Sequence, residues 1–260
     1  MPEPLSRREE RLLRALAQRK HREAERLFLV EGIRAVEELA ASRLPVRVAA
    51  WSSSAEDGER GVELLQTLQR QRVPLREVDD RLLRELAGTE HPQGIVAAAE
   101  IPSHTLDSLS VDADPAVILV LDAVQDPGNF GTLARTAEAL GAAGVVALPG
   151  TVDPWNPKSV RAAMGSSFRL PIVAAGWGEL APWLEARGIV AVAAVVGAAP
   201  LPVPRITRAA LVLGNEGAGV GEETLAAARV HAGIPLRGRA ESLNVAAAGA
   251  ILLYDLLRQD

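Results

Sequence analysis

Three short stretches in the carboxy-terminal half carry the residue types that a reaction would need. The first is DPGNFGTLAR (126–135), directly after an apolar run at 117–121. Pro-Gly-Asn-Phe-Gly is a tight turn that exposes backbone and opens a helix, and Asn129 could cap that helix. Arg135 falls four residues beyond Gly131 and on the same helical face, where a salt-bridged surface group would explain it equally well. The second stretch is LVLGNEGAGV (211–220), with Gly214, Asn215, Glu216 and Gly217 straight after an apolar strand. Glycines there let a backbone approach a ligand closely. Their order is G-x-x-G-x-G, which fails the dinucleotide fingerprint G-x-G-x-x-G, and Glu216 would repel a pyrophosphate. A carboxylate at that point suits a cationic ligand or a hydroxyl. The third stretch runs from Ile234 and Leu236 through Ser242, Leu243 and Asn244 into a closing helix. Ser242 can serve as its N-cap. The helix behind it is apolar on nearly every side and reads as buried, so Asn244 must find hydrogen-bond partners or cost about 1–3 kcal/mol. A polar pair at the mouth of a buried helix suggests a ligand pocket.

These loops need a scaffold, and the apolar periodicity supplies one. From residue 116 onward, strands at 117–121, 145–148, 172–174, 189–195 and 211–213 alternate with helices at 131–140, 159–164, 179–187 and 222–228. Ile234 ends a last short strand, and the closing helix spans 242–257. The continuous apolar runs are those of parallel strands buried on both faces. Such a doubly wound sheet binds its ligands beyond the carboxyl ends of its strands.

The front of the chain reads as a separate small α/β domain. An amphipathic helix over 6–26 carries Leu12, Leu13, Leu16 and Ala17 on one stripe and an arginine-laden outer face. Strands at 28–30, 46–51 and 94–99 follow, with helices at 32–41, 61–71 and 81–87, the last capped by Asp79. Residues 102–115 (PSHTLDSLSVDADP) break all periodicity and read as a linker, dividing a domain at 1–101 from one at 116–260. Residues 1–30 hold eight Lys/Arg against five Glu, a net charge of +3, while the whole chain carries −5. The outer face of the first helix is thus either a solvated surface laced with Glu/Arg pairs or a phosphate-tracking one.

Composition excludes several classes. Hydrophobic content of 48% with 23% charged residues is that of a folded chain, and the acidic total speaks against general polyanion binding. There is no Cys, hence no disulfide framework and no thiolate nucleophile. The four His (His21, His91, His104, His231) are scattered without metal-ligand spacing, so no metal is expected. No apolar run approaches the roughly 20 residues that span a bilayer, and the polar start lacks a signal core, so a cytoplasmic protein is expected.

In this order and with these separations, the three loops resemble the SpoU/TrmH branch of the SPOUT-class methyltransferases, which methylate RNA ribose 2′-hydroxyls with S-adenosyl-L-methionine. NPKSVRAAMGSSFRLPI (156–172) is similar to that family's central stretch, with Ala163 where a Ser is expected. KHREAERLFLVEGIRAVEEL (20–39) resembles the L30e/L7Ae-like substrate-binding domain of its ribosomal-RNA members. The resemblance implies an α/β SPOUT domain whose chain end is threaded as a deep trefoil knot, and a homodimer formed through that domain. It implies catalytic roles for Asn129, Arg135, Glu216, Ser242 and Asn244, with Arg135 drawn from the neighbouring protomer. S-adenosylmethionine would be held by Leu213, Gly214, Asn215, Glu216, Gly217, Ile234, Leu236 and Leu243. RNA, with ribosomal RNA favoured over tRNA by the folded front domain, would meet Arg7, Arg8, Arg19, Lys20, Arg22 and Arg34. A catalytically silent RNA-binding relative would be expected to lack Asn129, Arg135 or Asn244, and all three are present.

Overall fold

Apolar runs that alternate with amphipathic segments can bury both kinds of face only by packing helices on sheets. The computed structural model resolves that alternation into two α/β units. It describes residues 3–42, 44–89, 92–201 and 206–258; His91 lies outside them. In chain order the elements are β1 (Glu3–Pro4), α1 (Arg7–Ala15), α2 (Arg19–Glu25), β2 (Leu27–Glu31), α3 (Ile33–Ser42), β3 (Val46–Trp51), α4 (Glu59–Arg70), β4 (Leu75–Glu77), α5 (Asp80–Ala87) and β5 (Ile95–Glu100). There follow β6 (Ala116–Leu121), α6 (Pro127–Leu140), β7 (Val145–Ala147), α7 (Pro157–Ala163), β8 (Ile172–Ala174), α8 (Trp177–Ala186), β9 (Val190–Ala194), β10 (Arg208–Leu213), α9 (Glu222–Ala227), β11 (Val230–Ala232) and α10 (Val245–Leu257).

The first unit comprises residues up to Ser103 together with Trp155–Phe168. Its sheet has the order β1-β4-β3-β5-β2, with β5 antiparallel to both neighbours. Leu13, Leu16, Leu29, Val48, Leu83 and Val96 form its core. The single helix expected over 6–26 is two helices. Ser6 starts α1 with a capping box, its Oγ accepting from Glu9 N while its own N–H donates to the Glu9 carboxylate. The chain then breaks after Ala15, and the freed carbonyls of Leu16 and Ala17 accept from Arg22 Nη1 at 2.8 and 2.9 Å. Arg22 is 2% exposed. Its place among the RNA-contacting residues is therefore withdrawn: its guanidinium closes the inside of the fold.

Two further boundaries differ from expectation. Residues 155–168 group with the first unit, where Phe28 packs against Trp155 (centroids 4.6 Å apart) and Phe168 (5.7 Å), and Arg161 pairs with Glu31 at 3.0 Å. The stretch 104–115 is no free linker. Leu109 and Val111 lie in the core of the second unit, and Asp107 accepts from Trp183 Nε1 (3.0 Å) and Arg187 Nη2 (2.8 Å).

The second unit comprises residues 104–154 and 169 onward, around a parallel sheet of order β11-β9-β10-β6-β7-β8. Every residue of β6 is buried, as continuous apolar sequence in a central parallel strand requires. β10 pairs with β6 in register from Arg208↔Ala116 to Leu213↔Leu121. The loops that leave these two neighbouring strands therefore start side by side, at Asp122 and Gly214. From β6 the chain continues to one edge of the sheet through β7 and β8, while β9 and β11 lie on the other side of β10. The strand order thus reverses at this point, which is where open α/β sheets bind ligands.

Candidate active site

The loop after β6 is shaped by four hydrogen bonds. Asp122 Oδ2 accepts from Gly221 N and Thr224 Oγ1, both at 2.7 Å, and so ties β6 to the start of α9. Ala123 takes a left-handed conformation (φ 56°), and its carbonyl accepts from Asn215 Nδ2 at 2.9 Å. Asp126 then caps α6, accepting from Asn129 N at 2.7 Å, with Pro127 at the first helical position. The helix thus begins four residues before the expected start, and Asn129 lies on its first turn instead of at its cap. That frees the Asn129 side chain for other partners.

The glycine loop after β10 closes on itself. Asn215 and Gly219 exchange main-chain hydrogen bonds of 2.8 and 2.9 Å, and Asn215 Oδ1 accepts from Gly217 N and Ala218 N. A Cβ on Gly214 would lie 2.2 Å from the backbone of Gly219 and Val220, so only glycine fits there. Closing this loop carries Glu216 over the first loop. Its carboxylate accepts from Gln125 N (3.2 Å), Asp126 N (3.0 Å) and Asn129 Nδ2 (3.0 Å). Partial burial pushes the Glu216 carboxyl up, but the hydrogen bonds from Asn129, Asp126 and Gln125 together outweigh it and hold the group below the usual carboxylate range.

Asn244 completes the constellation. Its Oδ1 caps α10 by accepting from Ala246 N (2.9 Å) and Ala247 N (3.3 Å), and its Nδ2 donates to Asn129 Oδ1 at 3.0 Å. The Asn129 amide is thus held at both ends, by a carboxylate on one loop and an amide on another. The cap expected at Ser242 is Asn244 instead; Ser242 is exposed and makes no hydrogen bond among the described residues. Nor is α10 buried all round: Ala247, Ile251 and Tyr254, at four- and three-residue spacing, form an exposed face, with Ile251 46% and Tyr254 59% exposed.

Beside this cluster lies a pocket lined by Leu213, Gly214, Asn215, Glu216, Gly217, Ile234, Leu236 and Leu243, with Ser242 at its edge. All eight residues expected to hold the cofactor therefore meet in one place. Val195, Val196, Ala248 and Leu252 also line it and were missed. The first two follow the carboxyl end of β9, so the switch-point rule itself could have found them. The main chain of Ile234, Leu236 and Leu243 forms no hydrogen bond among the described residues, leaving donors and acceptors for a ligand. Apolar walls, unused peptide groups, a glycine loop and a carboxylate fit a nucleoside that carries a cationic centre. No group of residues that could hold a metal occurs among the described residues.

Arg135 stands apart. Six residues beyond Asn129 on a helix of 3.6 residues per turn, it lies about 240° around α6 from that side chain. It is exposed and has no ion pair among the described residues. On the first unit, Arg7, Arg8, Lys20 and Arg34 are exposed, and Arg19 is exposed but paired with Glu23 at 2.7 Å.

Comparison with known proteins adds to this geometry. The model of the SpoU rRNA Methylase family matches residues 116–254, and that of the MRM3-like substrate binding domain matches residues 11–97. The chain is 35% identical over 243 residues to the 23S rRNA (guanosine(2553)-2'-O)-methyltransferase RlmP of Bacillus subtilis (strain 168), covering 92% of this chain and 91% of that one. It is 33% identical over 240 residues to the 23S rRNA (uridine(2479)-2'-O)-methyltransferase of Streptomyces viridochromogenes, covering 89% and 83%. Among solved structures, the SpoU methyltransferase AviRb from Streptomyces viridochromogenes in complex with the cofactor AdoMet superposes with a TM-score of 0.85 at 31% identity, over 97% of each chain.

Proposed function

The chain belongs to the SpoU rRNA methylase family, and from that membership we propose that it transfers the methyl group of S-adenosylmethionine to a ribose 2′-hydroxyl of ribosomal RNA. One observation carries the reading: Glu216, Asn129 and Asn244, from three separate loops, are hydrogen-bonded into one chain whose Glu216 lines a pocket suited to that donor. The two relatives above, matched over most of their length, are both named for 2′-O-methylation of 23S rRNA.

The sulfonium, when bound, supplies an already activated methyl, so the protein needs neither a metal nor a covalent intermediate. What remains is to align the ribose oxygen behind the methyl and to ease the loss of its proton. Asn129, fixed at both ends of its amide, positions the ribose side of the site, and Glu216 locks the glycine loop over it. Leu213, Ile234 and Leu243, which line the pocket, would wall the adenine, and main-chain groups would take its polar edges. Ser242 borders the nucleotide. A guanidinium is effectively always protonated, so Arg135 orients a neighbouring phosphate or stabilises developing alkoxide charge.

Because Arg135 faces away from Asn129 on its own helix, we assign it to the site of a second copy, in a homodimer formed through this unit. The exposed Ile251 and Tyr254, neighbours on one face of α10, support that contact. A threaded, knotted chain end belongs to the same reading, supported by β10 lying between β9 and β6 and by the close packing of Gly249 on Leu133 and Leu213. The mixed sheet of the first unit, matched by a substrate-binding model, supports an L30e-like RNA-binding role. None of the described helices is long and apolar enough to cross a membrane, and the cytoplasm, where rRNA is available, is the proposed place of action.

The test is methyl transfer from tritiated S-adenosylmethionine into ribosomal RNA, followed by alkaline hydrolysis. Label in an alkali-stable dinucleotide supports ribose 2′-O-methylation. Label on a base, or none in any ribosomal RNA offered, overturns it.

A further inference from the structure

A cavity of about 1020 Å³ in the first unit lies between α1–α2 and the amino-terminal ends of β2 and β3. Its rim carries Arg8, Arg11, Arg26 and Arg47, all exposed. Several other arginines of the unit are held by carboxylates, Arg14 by Glu10 and Glu85, Arg60 by Glu37, Arg76 by Glu3 and Glu9, whereas Arg70 and Arg84 stand without an ion pair among the described residues but apart from any such cluster. None of the four rim arginines has an ion pair among the described residues. Arg11 reaches only a main-chain carbonyl, that of Arg7, and Arg26 only the Ser103 hydroxyl at 2.6 Å.

Between them the wall includes Leu12, half-buried, and Leu27 and Val48, which belong to the core of the unit. Two exposed carboxylates, Glu25 and Glu100, also border the cavity. A duplex keeps most of its exocyclic amines in base pairs and has fewer donors to offer them. A splayed single strand offers more: its phosphates meet the arginines, and its 2′-hydroxyls and free exocyclic amines donate to the carboxylates. The buried Arg22 sets the wall of this groove, because its bonds to Leu16 and Ala17 fix the angle between α1 and α2. It acts as a positioning residue, not as a contact.

We propose that this groove binds a single-stranded segment of the RNA substrate, with Arg8, Arg11, Arg26 and Arg47 on its phosphates; the proposal rests on the reading of the chain as an RNA methyltransferase. A volume at the upper end of the range that encloses whole small ligands gives room for more than one nucleotide.

The experiment uses the full chain and a fluorescently labelled 16-nucleotide single-stranded RNA of mixed sequence, titrated over a range of salt concentrations. The double variant Arg8→Ala/Arg47→Ala is compared with Arg70→Ala/Arg84→Ala, which removes two exposed arginines of the same unit that lie away from the groove and have no ion pair among the described residues. Each single-strand phosphate contact contributes about 0.7 to the log–log salt slope, so losing two should lower it by about 1.4 and weaken binding about 25-fold at 0.1 M salt. The control pair should stay within about threefold, and both variants should keep wild-type thermal melts. Binding by the groove variant within twofold of wild type, an equal loss in the control, or single-stranded DNA of the same sequence binding as tightly as the RNA would overturn the assignment. Methyl transfer by wild-type protein is measured separately. Wild-type transfer together with undiminished RNA binding by the groove variant sinks only the groove, whereas groove-dependent binding without any transfer sinks only the enzymatic reading.

Discussion

Replacing Glu216 by Gln tests whether the two glycine-bearing loops are held together by charge. The carboxylate accepts three N–H groups, from Gln125, Asp126 and Asn129, at 3.0–3.2 Å. A glutamine keeps one oxygen and turns an NH2 toward donors that it cannot pair with. At least one charge-assisted hydrogen bond is lost, worth about 1.5–3 kcal/mol when sheltered. Glu216 is exposed, so solvent screening reduces this to about 1–2 kcal/mol. If the loop geometry is what aligns the ribose, the same energy should appear in the barrier, lowering kcat/KM for RNA about 5- to 30-fold. The assay is tritiated-methyl transfer at subsaturating RNA, with thermal unfolding of the same samples. A pH signature should accompany it. The folded carboxyl is held below its unfolded value of about 4.3, so its stabilisation is complete above that pH and is lost as pH falls through the lower, folded value. Glu216→Gln should flatten that part of the acid-unfolding curve. Wild-type kcat/KM together with an unchanged acid limb would refute the reasoning.

Three other outcomes follow from the same geometry. Asn244→Ala removes the cap of α10 and the partner of Asn129, costing about 1 kcal/mol for the cap, and its kinetic effect should be non-additive with Asn129→Ala in a double-mutant cycle. Arg135→Ala should abolish methyl transfer while S-adenosylmethionine affinity, measured calorimetrically, changes less than about tenfold; mixing it with a second inactive variant that retains Arg135 should restore part of the activity if the site is shared between copies. Gly249→Val should lower the thermal midpoint by about 3–10 °C, because a Cβ there already lies 2.4 Å from Leu133 Cδ2 and 2.6 Å from Leu213 Cδ1; since Leu213 walls the pocket, donor affinity should fall as well.

What could be read in the sequence was what local composition controls. The unbroken apolar runs of β6 and β10 announced buried parallel strands, and their switch point announced the pocket; all eight expected cofactor contacts lie in it. The polar types at 129, 216 and 244 were legible, but not the division of labour. Asn129 looked like a cap because a turn precedes it, yet Asp126 takes that role, and Pro127 at the first helical position was the signal to heed. Ser242 lost its cap to Asn244 in the same way. The break between α1 and α2 has no local breaker at all; it depends on Arg22 turning inward to Leu16 and Ala17, a tertiary event. Equally non-local are the docking of Trp155 and Phe168 on Phe28 and the burial of Leu109 and Val111 in a stretch rich in Ser, Asp and Pro. Strands as short as β1 and β4 carry too few residues to display any alternation.

Calorimetric titration of the purified chain with S-adenosylmethionine, with NAD as the competing nucleotide, probes the pocket itself. One site per chain for the sulfonium compound, and no heat from NAD, is the expected result. Absence of binding by S-adenosylmethionine, or equal binding of the dinucleotide, would mean that the loops carrying Asn129, Glu216 and Asn244 do not converge on a methyl donor.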